Sequence, residues 1–538
     1  MSDRHPSSGP LVEGPHDPEH DPTASYALDR GYVRDLTERL VATSGRTVEV
    51  RSPIGDQPLA HIPQSSETDV EEGFRRARRA QESWARSPID VRAAALLRLH
   101  DLVLDRQSEI LDLICLESGK ARKHAFDEPM HIALTARYYG RTAHEHLDSR
   151  RVRGVFPLLT RVDVHRLPKG VVGVISPWNY PFTMALCDGL PALLAGNAVV
   201  AKPDAQTMLS ALLAARLLDE AGFPPDLWQV VAGPGAEIGP ALVQRADYIC
   251  FTGSTATGRS VATGCAERLI GCSLELGGKN PILVLRDADI EKAAEGAVRA
   301  AFSNAGQLCV SMERMFVADQ VYDRFMGRFV ARTQAMTLGT TIDWGNDMGS
   351  LTSARQLETV IAHVDDAVAK GARVLTGGRP RPDLGPFFYE PTILEGVTPE
   401  MTCFGHETFG PVVAAYRFHD ESEAVARAND GEYGLNGSIY SQDGPRARAL
   451  ARRIRCGTVN VNEGFAASFG SVEAPMGGMR SSGLGRRQGA EGVLRFTETQ
   501  SVATQRVTRI APSFGLSDER FGTVMTASLR VLKKLGRA

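Results

Sequence analysis

Between residues 168 and 285, short apolar runs rich in β-branched residues alternate with helical segments. The runs read GVVGVIS, AVVAKP, WQVVAG, YICFTG and PILVL, and helical patterns at 183–195, 206–221, 236–245 and 256–268 separate most of them. Such alternation predicts a parallel, doubly wound sheet. Ligands bind at the carboxyl ends of the strands in such sheets, so the residues that end each run are the first candidates for a site.

A second alternating region, from about 286 to 465, predicts another α/β domain. The chain has 538 residues, which is too many for one ordinary core. Residues 151–166 alternate apolar and polar around Pro157 and predict a projecting hairpin, and the segment from 495 alternates like an edge strand. We therefore expect at least two domains of mixed helices and strands, with a small β element beside them.

Composition narrows the class of protein. Lys and Arg number 61 against 64 Asp and Glu, which gives no electrostatic footprint for nucleic acid. We find no apolar run long enough for a membrane span and no signal-peptide core. The eight cysteines include no C-x-x-C pair, which argues against a disulfide framework or a zinc site. A reduced, cytoplasmic setting is therefore expected, without a metal site.

Both ends of the chain carry segments outside these domains. Residues 1–24 are rich in Pro, His, Asp and Ser and predict a disordered tail, because they offer little apolar surface to bury. Residues 511–538 form a C-terminal extension that contains an amphipathic segment, FGTVMTASLRVLKKLG. We expect that segment to pack on the protein or a partner subunit, with a membrane surface as the alternative.

Cys309 is the candidate nucleophile. It lies in FSNAGQLCVSMER, residues 302–314, just after a helical run, and Gly306 gives the backbone freedom to expose it. The alternative is an inert, buried thiol, which is the commoner state of a free cysteine. The choice between these depends on what the rest of the chain places around the thiol.

Two polar residues end neighbouring strands of the predicted sheet. Asn179 follows GVVGVIS, and a side-chain amide there can donate to a developing oxyanion or can satisfy its own loop backbone. Lys202 ends AVVAKP, where it can reach a sugar hydroxyl or a phosphate or can lie on the surface.

Glu275 lies inside the small and apolar run SLELGGKNP, where a raised pKa suits a general base, although an ion pair would also explain it. FTGSTATG places Gly253, Ser254 and Gly258 between a strand and a helix, so that a pyrophosphate can approach the helix N-terminus. Glu407 and Phe409, in GHETFGPV, can contact a cofactor's ribose and ring, but this motif is uninformative alone.

Taken together, these stretches resemble the aldehyde dehydrogenase superfamily, from about residue 45 to 510. Within it the chain is most similar to NADP-linked succinate-semialdehyde dehydrogenases. The resemblance rests on motifs that occur in family order, namely ESGK, PWNYP, GNAVVAKP, FTGS, LELGGKNP, GQLC, ETFGPV and PMGGMRSSGLGR.

The resemblance implies an α/β fold of the aldehyde dehydrogenase type, with a Rossmann-like cofactor domain, an α/β catalytic domain and a β oligomerisation flap. It also implies a homodimer or homotetramer. The expected ranges are 25–150 and 167–275 for the cofactor domain, 276–478 for the catalytic domain, and 151–166 and 479–510 for the flap.

The resemblance also assigns roles. Cys309 matches the nucleophile, Glu275 the base that activates water, and Asn179 the oxyanion amide. Lys202, which we also count with the catalytic residues, and Glu407 match residues that hold a ribose. The remaining expected cofactor contacts are Trp178, Asn179, Pro203, Asp204, Ala205, Gly235, Gly253, Ser254, Thr255, Ala256, Thr257, Gly258, Leu276 and Phe409.

The implied reaction is oxidation of succinate semialdehyde to succinate through a cysteine thiohemiacetal and a thioester. Ala205 stands where NAD-preferring members often carry glutamate, which favours NADP, although Asp204 leaves NAD open. Cys187 and Ser303 align where some succinate-semialdehyde enzymes carry arginines, while Ser471 matches a serine that those enzymes use. A general aliphatic or aromatic aldehyde dehydrogenase is the alternative, and a non-catalytic relative is the alternative from another class.

Overall fold

The structure, a computed structural model, describes residues 11–12, 27–155, 160–506, 509–534 and 536. It forms two compact units. The first comprises Met1–His146 and Pro168–Phe496, and the second comprises Leu147–Leu167 and Thr497–Ala538. The tail predicted for residues 1–24 lies outside the described residues, except that Leu11–Val12 pairs with Ala27–Leu28 in a short antiparallel ribbon.

Strands are numbered in chain order through the described residues. The strands β1 to β20 are Leu11–Val12, Ala27–Leu28, Thr47–Arg51, Pro58–Pro63, Arg150–Arg153, Thr160–Pro168, Val171–Ile175, Ala198–Lys202, Trp228–Val230, Tyr248–Thr252, Gly271–Glu275, Asn280–Val284, Met312–Ala318, Arg373–Thr376, Thr392–Glu395, Val412–Phe418, Asn436–Tyr440, Thr458–Val461, Gly483–Leu484 and Thr497–Gln505.

Helices are numbered in the same way. The helices α1 to α20 are Arg30–Thr37, Glu67–Trp84, Ile89–Asp105, Gln107–Ser118, Arg122–Ala125, Asp127–Leu147, Pro181–Leu186, Gly189–Leu194, Met208–Glu220, Gly235–Val243, Thr255–Glu267, Ile290–Phe302, Tyr322–Gln334, Ala354–Ala369, Thr402–Gly405, Glu421–Ala428, Gly444–Ala451, Ala466–Gly470, Gly489–Leu494 and Asp518–Lys534. Short 3-10 helices occupy Ala205–Thr207, Ser303–Gly306 and Arg480–Ser482.

The first sheet of the larger unit has the order β19-β11-β10-β7-β8-β9. The five strands from β11 to β9 in this order run parallel, whereas β19 pairs antiparallel with the end of β11. Strand β8 is buried along its whole length, which is why AVVAK reads as a continuous apolar run rather than an alternating one. The predicted doubly wound α/β sheet is confirmed.

The second sheet has the order β14-β15-β16-β13-β12-β17-β18 and is parallel except for β14. Helix α12 packs on it through a buried stripe of small residues that includes Ala293, Ala297 and Ala301. Its N-cap, Asp289, accepts a hydrogen bond from Lys292 N, which fixes where the helix begins. The second α/β region predicted from the sequence is therefore confirmed as well.

The two sheets are joined by a very short crossing. Strand β11 ends at Glu275 and β12 begins at Asn280, so residues 276–279 carry the chain from one sheet to the other. Glu275 O accepts from Gly253 N, and Leu276 N donates to Ser482 O, so the crossing is held on both sides. Because parallel strands end together, Ile175, Lys202, Thr252 and Glu275 lie along one edge of the first sheet.

A buried ion pair supports the loop that follows β7. Lys120 Nζ donates to Glu128 Oε1 at 2.6 Å, and both side chains are fully buried. The other carboxylate oxygen, Oε2, accepts from Thr183 N at 2.9 Å, and the Lys120 ammonium lies 3.6 Å from the centre of the Tyr180 ring. The pair therefore ties α6 to the first turn of α7, directly after Asn179.

The second unit contains a sheet of order β20-β6-β5 and helix α20. Thr160 Oγ1 donates to Gln505 Oε1 at 2.6 Å and Arg166 to Thr499 Oγ1 at 2.6 Å, so side chains reinforce the pairing of β20 with β6. The sequence assigned residues 479–510 to the flap. Residues 479–496 instead lie in the larger unit, because β19 pairs with β11.

No helix within the described residues is both long and apolar enough to cross a membrane.

Breaking the buried ion pair tests its contribution to stability. We expect Glu128→Gln to lower the free energy of unfolding by about 3–5 kcal/mol, because it leaves the Lys120 ammonium buried without a counter-ion. The midpoint of urea unfolding measures the change. Glu72→Gln, at an exposed pair with Arg75, is the control and should leave the midpoint unchanged. Equal changes in the unfolding midpoint for the two substitutions would contradict a stabilising role for the buried Lys120–Glu128 pair.

Candidate active site

A cavity of about 250 Å³ lies where the first sheet's carboxyl edge meets the second α/β region. It collects most of the chemically active residues that the sequence singled out. The predicted residues that line it are Trp178, Asn179, Gly253, Ser254, Glu275, Leu276, Cys309, Glu407 and Phe409. These residues come from five separate segments of the chain, so only the fold brings them together.

The segment before Cys309 has an unusual backbone. Asn304, Ala305 and Gly306 all have positive φ, of 52°, 52° and 71°. A side chain on Gly306 would overlap Gly410 O, so glycine is required for the close approach of these two loops. The left-handed turn ends α12 abruptly and directs residues 307–310 towards the cavity.

Hydrogen bonds join the Cys309 loop to the Asn179 loop. Asn179 Nδ2 donates to Gln307 O at 3.0 Å, and Asn304 Nδ2 donates to Asn179 O at 3.2 Å and to Gln307 O at 3.0 Å. Asn179 is buried, and its amide has two N–H groups, so one donor remains after the bond to Gln307. This remaining N–H of Asn179 is suited to donate to a substrate oxygen next to the Cys309 thiol.

The backbone of Cys309 is held by the crossing between the sheets. Asn280 Nδ2 donates to Cys309 O at 2.8 Å and to Ser311 O at 2.7 Å. A Cβ on Gly278 would lie 2.7 Å from Cys309 O, so the crossing passes directly against the loop. Burial, and then the nearby carboxylates of Glu275 and Glu407, raise the pKa of the Cys309 thiol to about 12.

Glu275 lies in the cavity as a buried carboxyl. Burial raises its pKa to about 7, with Arg487 opposing the rise and Asp188 adding to it. Its Oε1 atom makes no hydrogen bond in the described structure. A carboxyl group with this pKa and a free oxygen is suited to accepting a proton near neutral pH.

Glu407 and Phe409 are placed by a second buried ion pair, Lys279 with Glu313. The Glu313 carboxylate accepts from Thr408 N at 2.9 Å and from Phe409 N at 2.9 Å. Glu407 Oε1 in turn accepts from Gly278 N at 2.8 Å, and burial followed by the Glu313 charge raises the pKa of Glu407 to about 8.

Aromatic and helix-terminal groups complete the other side of the cavity. The Phe409 ring meets the Trp178 ring edge to face, with centroids 5.5 Å apart. Ser254 caps α11 by accepting from Thr257 N at 3.3 Å, and Thr255, Ala256 and Thr257 form the first turn of that helix. A Cβ on Gly258 would lie 2.5 Å from Leu276 Cδ2, so the helix packs closely on the crossing. The helix N-terminus is thereby directed to the strand ends, as anion binding requires.

The remaining predicted cofactor residues line the neighbouring strand ends. Lys202 is buried, and its Nζ donates to Pro203 O at 3.2 Å. Asp204 Oδ1 accepts from Gln206 N at 3.0 Å, so this carboxylate caps the 3-10 turn that contains Ala205. Gly235 is exposed at the start of α10, with open space at its Cβ position.

Comparison with known proteins identifies the family. The model of the aldehyde dehydrogenase family matches residues 40–502. The chain belongs to the aldehyde dehydrogenase family. It is therefore an oxidoreductase that acts on aldehydes, as the motifs predicted.

Named relatives and solved structures agree with this. A Mycolicibacterium smegmatis protein named "putative succinate-semialdehyde dehydrogenase, NADP(+)" is 49% identical over 95% of this chain and 99% of its own length. A glutarate-semialdehyde dehydrogenase of Pseudomonas aeruginosa is 35% identical over 85% of this chain and 94% of its own. The crystal structure of an E. coli NADP-dependent enzyme superimposes with a TM-score of 0.83 at 33% identity, over 86% of this chain and 96% of that one.

A structure of betaine aldehyde dehydrogenase from Staphylococcus aureus in complex with NAD+ gives a TM-score of 0.84 at 28% identity, over 91% of this chain and 99% of that chain.

Three residues expected near the substrate of this aldehyde dehydrogenase lie apart from the cavity lining. Ser471 is exposed, and its hydroxyl donates to Ala467 O at 2.6 Å. Cys187 is buried at the C-terminal end of α7. Ser303 is buried, donates to Arg299 O at 2.7 Å and lines a different cavity. The role given to Ser471 stays a prediction, which this geometry does not favour.

Sequence reasoning missed one charged residue of the aldehyde dehydrogenase site, Arg487. It lines the cavity together with Cys309 and Glu275, although the sequence placed residues 479–510 in the flap. One sequence feature could have indicated Arg487: the pair Arg486-Arg487 follows SSGLG directly, so two large cationic side chains end a run of small residues.

The contact between the crossing and the Cys309 loop can be tested by adding one methyl group. Gly278→Ala should reduce kcat/KM for an aldehyde by roughly 100-fold, because its Cβ displaces Cys309 O and moves the thiol. Gly239→Ala, on α10 with open space at its Cβ position, should retain wild-type kinetics. Unchanged activity in Gly278→Ala would contradict the tight packing described above.

Proposed function

We propose that this aldehyde dehydrogenase oxidises succinate semialdehyde to succinate with NADP, through an acyl group held on Cys309. The observation that carries the proposal is that Cys309, Asn179 and Glu275 line one small cavity at the carboxyl edge of the first sheet. A nucleophile, an oxyanion donor and a base with a pKa near 7 are the groups that acyl transfer to water requires.

In the first step, Cys309 Sγ bonds to the aldehyde carbon, the carbonyl π bond opens, and the thiol proton passes to solvent water. The carbonyl oxygen becomes an oxyanion, which accepts hydrogen bonds from Asn179 Nδ2 and from the Cys309 backbone N–H. One such donor contributes about 2.7–4 kcal/mol of transition-state stabilisation. Asn304 and Gln307 hold both loops, so the donors are in place before the charge develops.

The chain offers groups that fit a dinucleotide. Lys202 is buried, and its Nζ donates to one acceptor among the described residues, Pro203 O, so it retains donors for ribose hydroxyls. Ser254 and the first turn of α11 would receive the pyrophosphate, and Glu407 would hold the second ribose. A bound NADP would supply the hydride acceptor, so that loss of hydride from the substrate carbon would leave a thioester on Cys309.

In the last step, Glu275 removes a proton from a water molecule. The resulting hydroxide adds to the thioester carbon, the carbon–sulfur bond breaks, the leaving Cys309 thiolate takes the proton back from Glu275, and the carboxylic acid leaves. Glu275 must be ionised for this, so deacylation should slow as the pH falls below about 7, the pKa of that carboxyl.

The names of the relatives support the choice of substrate. Succinate semialdehyde and glutarate semialdehyde, which appear in those names, are both aldehydes with a terminal carboxylate. The names of the Mycolicibacterium smegmatis relative and of the NADP-dependent E. coli enzyme support NADP. Ala205 supports it too, because a small apolar residue there does not repel a 2′-phosphate.

A second candidate is the oxidation of uncharged aldehydes. The observation in its favour is that Cys187 and Ser303 carry no charge where arginines were expected, while Met184, Phe469 and Met476 give the cavity an apolar wall. Such a wall is suited to an aliphatic or aromatic tail.

The second unit provides the surface expected for oligomerisation. Strand β20 has β6 as its one neighbour within the described residues, and most of its side chains are exposed. An open edge of this kind can pair with a strand of another copy. A homodimer or homotetramer in the cytoplasm remains our expectation.

A substrate panel separates the two candidates. We expect kcat/KM for succinate semialdehyde to exceed the values for hexanal and benzaldehyde by about tenfold or more, with NADP preferred over NAD. Steady-state kinetics with each aldehyde and both nucleotides give the answer. A tenfold higher kcat/KM for hexanal and benzaldehyde would contradict succinate semialdehyde as the substrate and support the oxidation of uncharged aldehydes.

Two substitutions test the assigned steps. Cys309→Ala should abolish reduction of the nucleotide, whereas Cys456→Ala, at another partly exposed thiol, should not. Glu275→Gln should keep a burst of reduced nucleotide but slow the turnover that follows by about 10²–10⁴-fold, because deacylation loses its base. Stopped-flow absorbance at 340 nm records both phases. Full activity in Cys309→Ala, or no burst in Glu275→Gln, would refute the respective step.

A further inference from the structure

Three buried charged side chains form a cluster behind Glu275. Asp188 Oδ2 accepts from Arg487 Nη2 at 2.8 Å, and Asp188 Oδ1 accepts from Arg495 Nη2 at 2.5 Å. Each of the three side chains is less than one-tenth exposed. Arg487 also donates to Thr252 Oγ1 at 3.1 Å, at the end of β10.

The cluster is not neutral by itself. Two guanidinium groups share one carboxylate, which leaves one uncompensated positive charge in a buried place. Glu275 is the carboxyl that faces it, with Oε1 at 4.0 Å from Arg487 Nε. Neither of these two atoms has a hydrogen-bond partner in the described structure. The four side chains sum to zero charge only when Glu275 is ionised.

The backbone fixes this arrangement. Strand β19 pairs Gly483 with Glu275, and four residues later Arg487 exchanges two backbone hydrogen bonds with Met476, of 2.7 and 2.8 Å. Arg487 therefore approaches Glu275 from the segment that follows β19, a strand hydrogen-bonded to the same sheet. Asp188, the residue before α8, then holds the guanidinium through the hydrogen bond from Arg487 Nη2.

We propose that Arg487, anchored by Asp188, is a positioning residue that keeps Glu275 ionised in the buried cavity and ready to accept a proton from water. The inference rests on the proposed role of Glu275 as the deacylation base. It assigns to the Asp188–Arg487–Arg495 cluster a function in the reaction besides packing.

The charged and titratable groups around Glu275 act in opposite directions. Burial raises the pKa of Glu275, Arg487 gives the largest opposing effect, Asp188 raises it, and Arg495 and Arg486 lower it. Cys309 and Glu407 are titratable groups that line the same cavity as Glu275. Removing Arg487 should therefore raise the pKa of Glu275, and removing the Asp188 charge should lower it.

The test follows the decay of the acyl-enzyme as a function of pH. Enzyme is mixed with succinate semialdehyde and NADP and quenched at timed intervals, and the acylated Cys309 peptide is quantified by mass spectrometry. In the wild type the decay rate should rise with pH around 7. In Arg487→Gln the rise should move up by about one pH unit or more, and in Asp188→Asn it should move down. Arg487→Lys keeps the charge and should restore most of the wild-type profile.

Opposite shifts in the two variants separate an electrostatic role from general loss of packing. Arg268→Gln, which removes a partly buried guanidinium that donates to Val243 O and Ala246 O, controls for lost arginine bonds and should keep the wild-type profile. If Arg487→Gln does not fold, the Asp188→Asn variant alone tests the proposal, which predicts that the pH dependence of its acyl-enzyme decay shifts to lower pH. Shifts in the same direction, or no shift in either variant, would overturn the proposal.

The role of Glu275 is tested separately in the same assay. If Glu275→Gln decays as fast as the wild type at every pH, the proposed base is wrong. If Glu275→Gln is slow but Arg487→Gln and Asp188→Asn keep the wild-type profile, only the role of the cluster is wrong.

Discussion

Four residues, 276–279, carry the chain from the first sheet to the second, and the site depends on that short crossing. Glu275 ends one strand immediately before it, and Asn280 begins the next strand immediately after it. Within the crossing, Gly278 N donates to Glu407 and Gly278 Cα lies against Cys309 O. One segment thereby sets the positions of the proposed base, the proposed nucleophile and a predicted ribose ligand relative to one another.

The buried charged groups of this site are unfavourable to desolvate, but their burial also gives the site its acid–base properties. Two ion pairs lie in the interior, Lys120 with Glu128 and Lys279 with Glu313. Their carboxylates accept hydrogen bonds from backbone N–H groups and so hold the loops of Asn179 and Phe409. Interactions between such groups are strong because little water screens them. The same low polarity brings the pKa of Glu275 close to neutral, where a carboxyl group can exchange protons.

Much of the fold could be predicted from the sequence, because its strands are marked by local patterns of residues. The apolar runs at β7, β8 and β10 mark their strands directly, and Asn179 and Glu275 were found because they follow or end such strands. Arg487 could not be found in this way, because its position depends on β19 pairing with β11, more than 200 residues away along the chain. The pairing of Lys279 with Glu313 is likewise set by the tertiary fold, and so is the boundary near Thr497.

The central claim is that the acyl group forms on Cys309 and that Glu275 releases it. The most direct measurement is peptide mapping by mass spectrometry of Glu275→Gln after one turnover with succinate semialdehyde and NADP. Because the chain has eight cysteines, the position of the adduct is informative. The account predicts a succinyl group on the peptide that contains Cys309 and on no other cysteine peptide. An adduct on a different cysteine, or none at all while reduced nucleotide accumulates, would contradict it.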